Sequence, residues 1–109
     1  MEDKLLKKYC PMTETIFYTL LALLEPNHGY GIMKFVRELT EERIKMGTGT
    51  LYTMLGRLVE DQMIVVVNEV DGKKTYQITA DGRQLLLLEQ ERKKKQCENG
   101  EKILGGITL

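Results

Sequence analysis

The chain has 109 residues, and its 16 Lys plus Arg balance 16 Asp plus Glu, so the formal net charge is zero. This excludes a uniformly basic nucleic-acid coat protein but allows a locally basic face, while 42% hydrophobic and 29% charged residues are typical of one globular domain. No apolar run approaches the ~20 residues of a membrane span, and the two cysteines lack metal-ligand spacing. We therefore expect a cytoplasmic protein with no membrane partner, no metal and no cofactor.

The first quarter of the chain predicts an arm and one apolar helix. Residues 1–8 are charged and are expected to form a loose or marginally helical arm. Thr13 is a candidate N-cap, and apolar residues then recur with helical spacing from Ile16 to Leu24. The helix ends before Pro26, because proline disfavours helical geometry in the residue that precedes it.

Two amphipathic helices follow. Residues 28–39 repeat apolar positions at helical spacing, and His28, the only histidine, fits a capping or structural role better than a catalytic one. Residues 40–46 form a short connector, and a third helix runs from about Thr48 to residues 61–63. The face opposite its leucine stripe carries small, hydroxyl and charged residues, namely Gly49, Thr53, Gly56, Arg57 and Glu60.

A β-hairpin is predicted next. Residues 64–70 are rich in β-branched side chains and indicate a strand, and Asp71-Gly72 is a strong two-residue turn signal. Residues 73–79 form the return strand. The turn sets a register that pairs Val70 with Lys73, Glu69 with Lys74, Val67 with Tyr76, and Val65 with Ile78.

The last predicted element is a helix capped by Thr79, with Gly100 as its C-terminal stop. Four consecutive leucines, Leu85-Leu86-Leu87-Leu88, cover too much of its circumference for one interface. One side is expected to pack on its own domain, and the other side needs a partner, because an exposed leucine patch promotes aggregation.

The expected fold class is mainly α with a small β-hairpin, a winged helix-turn-helix. Residues 1–79 form the N-terminal arm, the three-helix core and a two-stranded wing. Residues 80–109 form a C-terminal dimerisation helix and a tail.

The third helix carries the predicted DNA-binding surface, since in this fold it enters the major groove. Residues 43–59 contain three basic residues and no Asp or Glu. Glycine inside an exposed helix costs about 1 kcal/mol against alanine, and close approach to DNA gives it a reason. The candidate DNA-binding residues are Lys45, Thr48, Gly49, Thr50, Tyr52, Thr53 and Arg57, with Lys73 and Lys74 on the wing. The competing interpretations are a solvated polar face, a half-buried packing role for Tyr52, and merely solubilising wing lysines.

Five short motifs fall in order along the chain: Pro11-Met12-Thr13, His28-Gly29-Tyr30-Gly31-Ile32, Gly49-Thr50-Leu51-Tyr52, Leu55-Gly56-Arg57-Leu58 and Tyr76-Gln77-Ile78-Thr79. With them, residues 10–98 resemble the PadR family of bacterial transcriptional regulators. The resemblance implies a dimeric winged-helix repressor that dimerises through its C-terminal helix and often responds to small aromatic or drug-like ligands. The chain resembles the short form of the family, and without any Trp it lacks the tryptophan-lined pore of the multidrug-binding members.

We therefore predict a homodimeric, sequence-specific transcriptional regulator, a ligand-responsive repressor that binds an inverted-repeat operator in double-stranded DNA. No catalytic constellation is present, so an enzyme is not expected. A small aromatic or drug-like effector is predicted at the dimer interface, where Met12, Phe17, Leu21, Leu85 and Leu88 line its pocket or, in the competing interpretation, fill the core. The alternative function is a winged-helix protein-interaction module that binds no DNA.

Overall fold

The computed structural model describes residues 3–107 as five helices and a three-stranded antiparallel sheet with the strand order β1-β3-β2. The elements are α1 (Asp3–Tyr9), α2 (Glu14–Ala22), β1 (Asn27–His28), α3 (Gly29–Leu39), α4 (Thr48–Glu60), β2 (Ile64–Val70), β3 (Lys73–Ile78) and α5 (Ala80–Leu104). The predicted winged-helix fold is confirmed, with one strand more than the expected two-stranded wing. No helix within residues 3–107 is long and apolar enough to cross a membrane.

The predicted arm is a docked helix. Tyr9 is buried, and its hydroxyl donates a hydrogen bond to Asp61 at the end of α4. Lys8 Nζ lies 2.7 Å from the same carboxylate oxygen. The hydrogen bond from Lys8, followed by that from Tyr9, holds the pKa of Asp61 below its usual range. The prediction of a loose arm was therefore wrong for α1; Met1 and Glu2 of that arm lie outside the described residues.

The extra strand joins the start of α3 to the wing. Asn27 pairs with Tyr76 and His28 pairs with Thr75, so β3 becomes the central strand and β2 the edge. Two residues are too few to show the alternation that marks a strand in a sequence.

The wing contains a β-bulge that the sequence analysis missed. The two pairs next to the turn form as predicted, but Val66 faces Tyr76 and Ile64 faces Ile78. The two predicted pairs at the base of the hairpin were therefore wrong by one residue, because Val67 is the extra residue of the bulge. The shift turns Ile64 and Val66 toward the protein, while Val65 and Val67 are exposed.

Side-chain caps fix the starts of three helices. Thr13 Oγ1 accepts a hydrogen bond from the Ile16 amide at 3.3 Å, and Thr79 Oγ1 accepts one from the Gly82 amide at 3.1 Å. His28 Nδ1 accepts from the Gly31 amide at 3.2 Å. The predicted capping roles of Thr13, His28 and Thr79 are confirmed.

The end of α5 differs from the prediction. The helix continues through Gly100 to Leu104, and Gly105 is its C-cap. A single interior glycine costs only about 1 kcal/mol and does not break a helix rich in Lys, Gln and Glu. Thr108 and Leu109 of the predicted tail lie outside the described residues.

The leucine run of α5 is divided between core and surface. Leu85 is 0% and Leu86 is 5% exposed, whereas Leu87 is 65% and Leu88 is 48% exposed. The inner pair packs in a core with α2, α3, α4 and the sheet. The outer pair lies at the protomer surface.

A buried carboxylate holds α5 against the turn between α1 and α2. Glu89 is fully buried and accepts hydrogen bonds from the Met12 amide at 2.7 Å and from Arg92 Nε and Nη2 at 2.6 and 2.9 Å. Lys93 Nζ lies 3.6 Å away. The Arg92 hydrogen bonds outweigh the desolvation by burial and lower the pKa of Glu89 to about 2. Sequence analysis had placed this residue on a solvated side of the helix.

We expect Glu89→Gln to lower the free energy of unfolding by about 2 kcal/mol at neutral pH, because it removes the charge from two hydrogen bonds to Arg92. The folded-state pKa of Glu89 lies below the unfolded value of about 4.3, so the carboxylate stabilises the fold above about pH 5. This contribution is lost as the pH falls toward 2.

Urea unfolding at pH 7 and pH 3 measures the effect. The parent should lose more stability on acidification than the Gln variant does. Equal stability of the two proteins at pH 7 would contradict this role of Glu89.

Candidate nucleic-acid interface

The exposed face of α4 is small, polar and free of acidic residues over most of its length. Leu51, Leu55 and Leu58 are fully buried, so the opposite side of the helix lies at the surface. The exposed candidate residues are Thr48, Gly49, Thr50, Tyr52, Thr53 and Arg57, with Gly56 among them. A Cβ atom at Gly49 or Gly56 would meet no atom within 4 Å, so packing inside the protomer does not require glycine at either position.

The three basic residues of this segment differ in their partners. Arg43 pairs with Glu14 at 2.9 Å, and Lys45 lies 3.7 Å from Glu42. Both acids lie outside the acid-free segment, so its sequence alone overstated the available positive charge. Arg57 has no ion-pair partner among the described side chains. It is therefore the basic residue of α4 that is free to bind an anion.

A groove runs along one side of this face, between α4 and the start of α2. Its lining is rich in hydroxyl groups and consists of Thr13, Thr15, Ile16, Gly49, Thr50, Thr53, Met54 and Arg57. The hydroxyls of Thr13 and Thr15 lie 3.2 Å apart at the N-terminus of α2. Hydroxyls, a guanidinium and free helix amides are groups that bind phosphate oxygens.

A second groove lies on the other side of α4, between the start of α3 and the wing. It is lined by His28, Gly29, Tyr30, Tyr52, Asn68, Val70, Asp71, Gly72, Lys73, Lys74, Thr75 and Tyr76. The structure thus brings Tyr52 of α4 together with both candidate wing lysines. His28 and Tyr30 were not predicted as members of this surface, although their motif could have suggested them.

Tyr52 has a structural role at the junction of α3, α4 and the wing. Its side chain is 49% exposed, and its ring lies against the backbone of Gly29. A Cβ atom at Gly29 would lie 2.7 Å from Tyr52 Cζ, so only glycine allows this contact. The interpretation of Tyr52 as a half-buried packing residue agrees with this geometry.

The wing tip presents its lysines to solvent. Asp71 and Gly72 have φ of 51° and 79°, the left-handed conformation of the type I′ turn that Asp-Gly favours. Lys74 faces Glu69 across the hairpin, whereas Lys73 faces Val70. Lys73 therefore has no acid directly opposite it.

Comparison with known proteins identifies the family. Residues 18–87 match the model of the transcriptional regulator PadR-like family. The chain belongs to this family. The resemblance predicted from the motifs is thus confirmed, and the matched family is one of regulators rather than enzymes.

Relatives of known sequence or structure agree with the PadR assignment. The transcriptional regulator YqjI of Escherichia coli (strain K12) is 32% identical over 62 residues, which cover 57% of this chain; the chain spans about 30% of that relative's length. A PadR family transcriptional regulator from Eggerthella lenta DSM 2243 has a TM-score of 0.71 and 23% identity over 94% of this chain and 89% of that one. A PadR family regulator from Clostridium difficile R20291 has a TM-score of 0.65 and 25% identity over 82% of this chain and 97% of that one.

The five residues predicted for a dimer and effector pocket do not share one environment in this PadR protein. Met12 and Leu85 are buried in the protomer core. Phe17 and Leu21 are partly buried against that core, and Leu88 is half-exposed. For Met12 and Leu85 the competing interpretation, a filled core, describes the protomer.

We expect opposite effects from alanine at two glycines of this surface. Gly56→Ala should raise the free energy of unfolding by about 0.5–1 kcal/mol, because alanine favours helix and its methyl group meets no atom within 4 Å. Gly29→Ala should destabilise the fold, because its methyl group would overlap the Tyr52 side chain. Thermal unfolding of both variants tests this. A Gly29→Ala protein as stable as the parent would show that Tyr52 does not need this contact.

Proposed function

We propose that this PadR-like protein is a homodimeric repressor that places α4 in the major groove of double-stranded operator DNA and the wing along the flanking backbone. The observation that carries the proposal is the acid-free, exposed face of α4 between two grooves. One groove offers hydroxyls and Arg57, and the other offers Lys73 and Lys74. Residues 1–79 would act as the DNA-binding domain and residues 80–109 as the dimerisation helix and tail.

Different residues of this surface suit different parts of DNA. Arg57 lies on the exposed side of α4 and suits a guanine edge or a phosphate. The hydroxyls of Thr48, Thr50 and Thr53 suit phosphates or base edges near the helix start. Lys73 and Lys74, at the tip of a hairpin, suit the backbone. Lys45 would exchange its contact with Glu42 for a phosphate.

The homodimer explains why the operator is proposed to be an inverted repeat. Two copies related by a two-fold axis present two α4 helices, which read successive major grooves about 34–36 Å apart. The exposed Leu87 and Leu88 support a partner on α5. A repressor of this kind acts by occupying DNA that the transcription machinery needs.

The ligand-responsive part of the proposal is limited to the surface between protomers. Phe17, Leu21 and Leu88 retain surface there, while Met12 and Leu85 are excluded as lining because they fill the core. Calorimetry with planar aromatic compounds should show binding tighter than millimolar. A panel without binding would mean that the partner alone covers these three residues.

Replacing Thr53 by Glu should abolish DNA binding while the fold stays intact, because a carboxylate in the middle of the α4 face repels phosphates. Gln84→Glu is the matched control, since it adds the same charge on an exposed position of α5 that lines neither groove. Fluorescence anisotropy on operator and random duplexes measures affinity, and circular dichroism checks folding. A folded Thr53→Glu dimer with parental affinity would favour the protein-interaction alternative.

Arg57→Ala should separate base contact from phosphate contact. A guanine contact predicts a loss of about 1–3 kcal/mol on the operator and relaxed preference at one base pair per half-site. A phosphate contact predicts weaker binding on all sequences and a salt slope smaller by about one unit. Lys73→Ala and Lys74→Ala should follow the phosphate pattern, and unchanged affinity in all three variants would contradict the proposed surface.

Leu87→Glu and Leu88→Glu should yield monomers or insoluble protein and weaken operator binding, because each buries a charge in the proposed interface and removes the second half-site. Gln84→Glu again serves as the control. Sedimentation at micromolar concentration decides. Dimers that persist in both leucine variants would place the interface elsewhere.

A further inference from the structure

The second half of α5 stands away from its own domain. The helix has 25 residues and is about 37 Å long, and its buried residues are Gly82, Leu85, Leu86 and Glu89. Every residue from 94 to 104 except Gly100 is exposed. The described residues accordingly extend over 56 × 34 × 21 Å. This half of α5 has no internal contact that explains its helical order.

The side of α5 opposite the buried face carries one continuous stripe. At 100° per residue, positions spaced alternately by three and four residues share a face. We define the outer stripe as Leu87, Gln90, Lys94, Cys97, Glu101 and Leu104, all of which are exposed. Leucines therefore lie at both ends of the stripe, about 25 Å apart along the helix, with polar residues between them.

The unpaired charges of this half-helix have both signs. Arg92 and Lys93 lie within ion-pair distance of Glu89. Among the described side chains, Lys94 and Lys95 have no ion-pair partner, and neither have Glu98 and Glu101. The two lysines come first along the helix and the two glutamates follow one to two turns later.

The order of these residues favours one orientation of a second α5. A parallel copy would stack the basic block of residues 92–95 on itself, which is repulsive. An antiparallel copy centred between Lys95 and Gln96 places Leu87 opposite the partner's Leu104. It also places Lys94 beside the partner's Cys97 and the partner's Glu98, and Gln90 opposite the partner's Glu101. Both ends then bury leucines, and the unpaired charges meet charges of opposite sign.

We propose that the outer stripe binds the outer stripe of a second copy of this chain, antiparallel and centred between Lys95 and Gln96. The inference rests on the proposed homodimer and specifies its geometry. Every contact occurs twice, as two-fold symmetry requires. The exposed apolar end of α5, Leu104 with Ile103 and Ile107, thereby reaches the partner's domain beside the partner's Leu87.

Cysteine cross-linking tests the orientation. In a Cys10→Ala/Cys97→Ser background, we compare Leu87→Cys, Leu104→Cys and the double variant, each treated with a short bismaleimide. The antiparallel pairing predicts covalent dimers from the double variant and none from either single variant. Within one chain the two positions are about 25 Å apart, too far for the reagent to bridge.

Three outcomes overturn the inference in distinguishable ways. Covalent dimers from either single variant indicate a parallel pairing and leave the homodimer standing. Absence of cross-links in a protein that sediments as a dimer moves the interface away from the outer stripe. Sedimentation of the background protein and of the unmodified parent as monomers removes the proposed homodimer itself.

A charge exchange provides a second measurement. Lys94→Glu should raise the dimer dissociation constant about tenfold, because the new carboxylate meets the partner's Glu98 at two symmetric places. The double variant Lys94→Glu/Glu98→Lys should restore it. Lys34→Glu on α3 is the control for the same charge change outside the stripe, and an equal effect of this control would contradict the pairing.

Discussion

The buried Glu89 carboxylate is the interaction on which the relation between the two parts of this PadR protein depends. A charged group without water is costly unless every oxygen has a partner, and here Arg92 and the Met12 amide supply those partners. The bonds join α5 to the turn between α1 and α2. The helix proposed to bind a second copy is therefore fixed at one defined point of the domain proposed to bind DNA. An apolar residue at this position would satisfy packing but would leave the Met12 amide without an acceptor.

The position of α4 depends on a second junction, which consists of local constraints that reinforce one another. His28 caps α3, and it also pairs with Thr75 of the wing. Gly29 then allows the Tyr52 ring to approach, which joins α4 to the same corner. One short segment thus fixes the distance between α4 and the wing. The neutral chain in this way concentrates Arg57, Lys73 and Lys74 on one side without an excess of basic residues.

Local signals predicted most of the fold, and contacts between distant segments account for what was missed. The caps at Thr13, His28 and Thr79 and the Asp71-Gly72 turn depend on neighbouring residues, so the sequence shows them directly. The β-bulge at Val67 depends on which side of the hairpin meets the core. Burial of Glu89 depends on an amide 77 positions away. For the candidate site, residue types on α4 and the wing were predictable, but the pairing of Lys45 with Glu42 was not.

The two junctions lie close together along the chain, and this proximity bears on regulation. Glu89 of α5 holds the amide of Met12, and the next residue, Thr13, caps α2 and lines the groove that contains Arg57. One peptide unit therefore separates the anchor of the dimerisation helix from the phosphate-binding side of the α4 face. Since the backbone between them is short and its amide is buried, α5 cannot change its angle at Glu89 without displacing the start of α2. A ligand that altered the angle between two α5 helices would act on DNA affinity through this displacement, with no need for a contact to α4 itself.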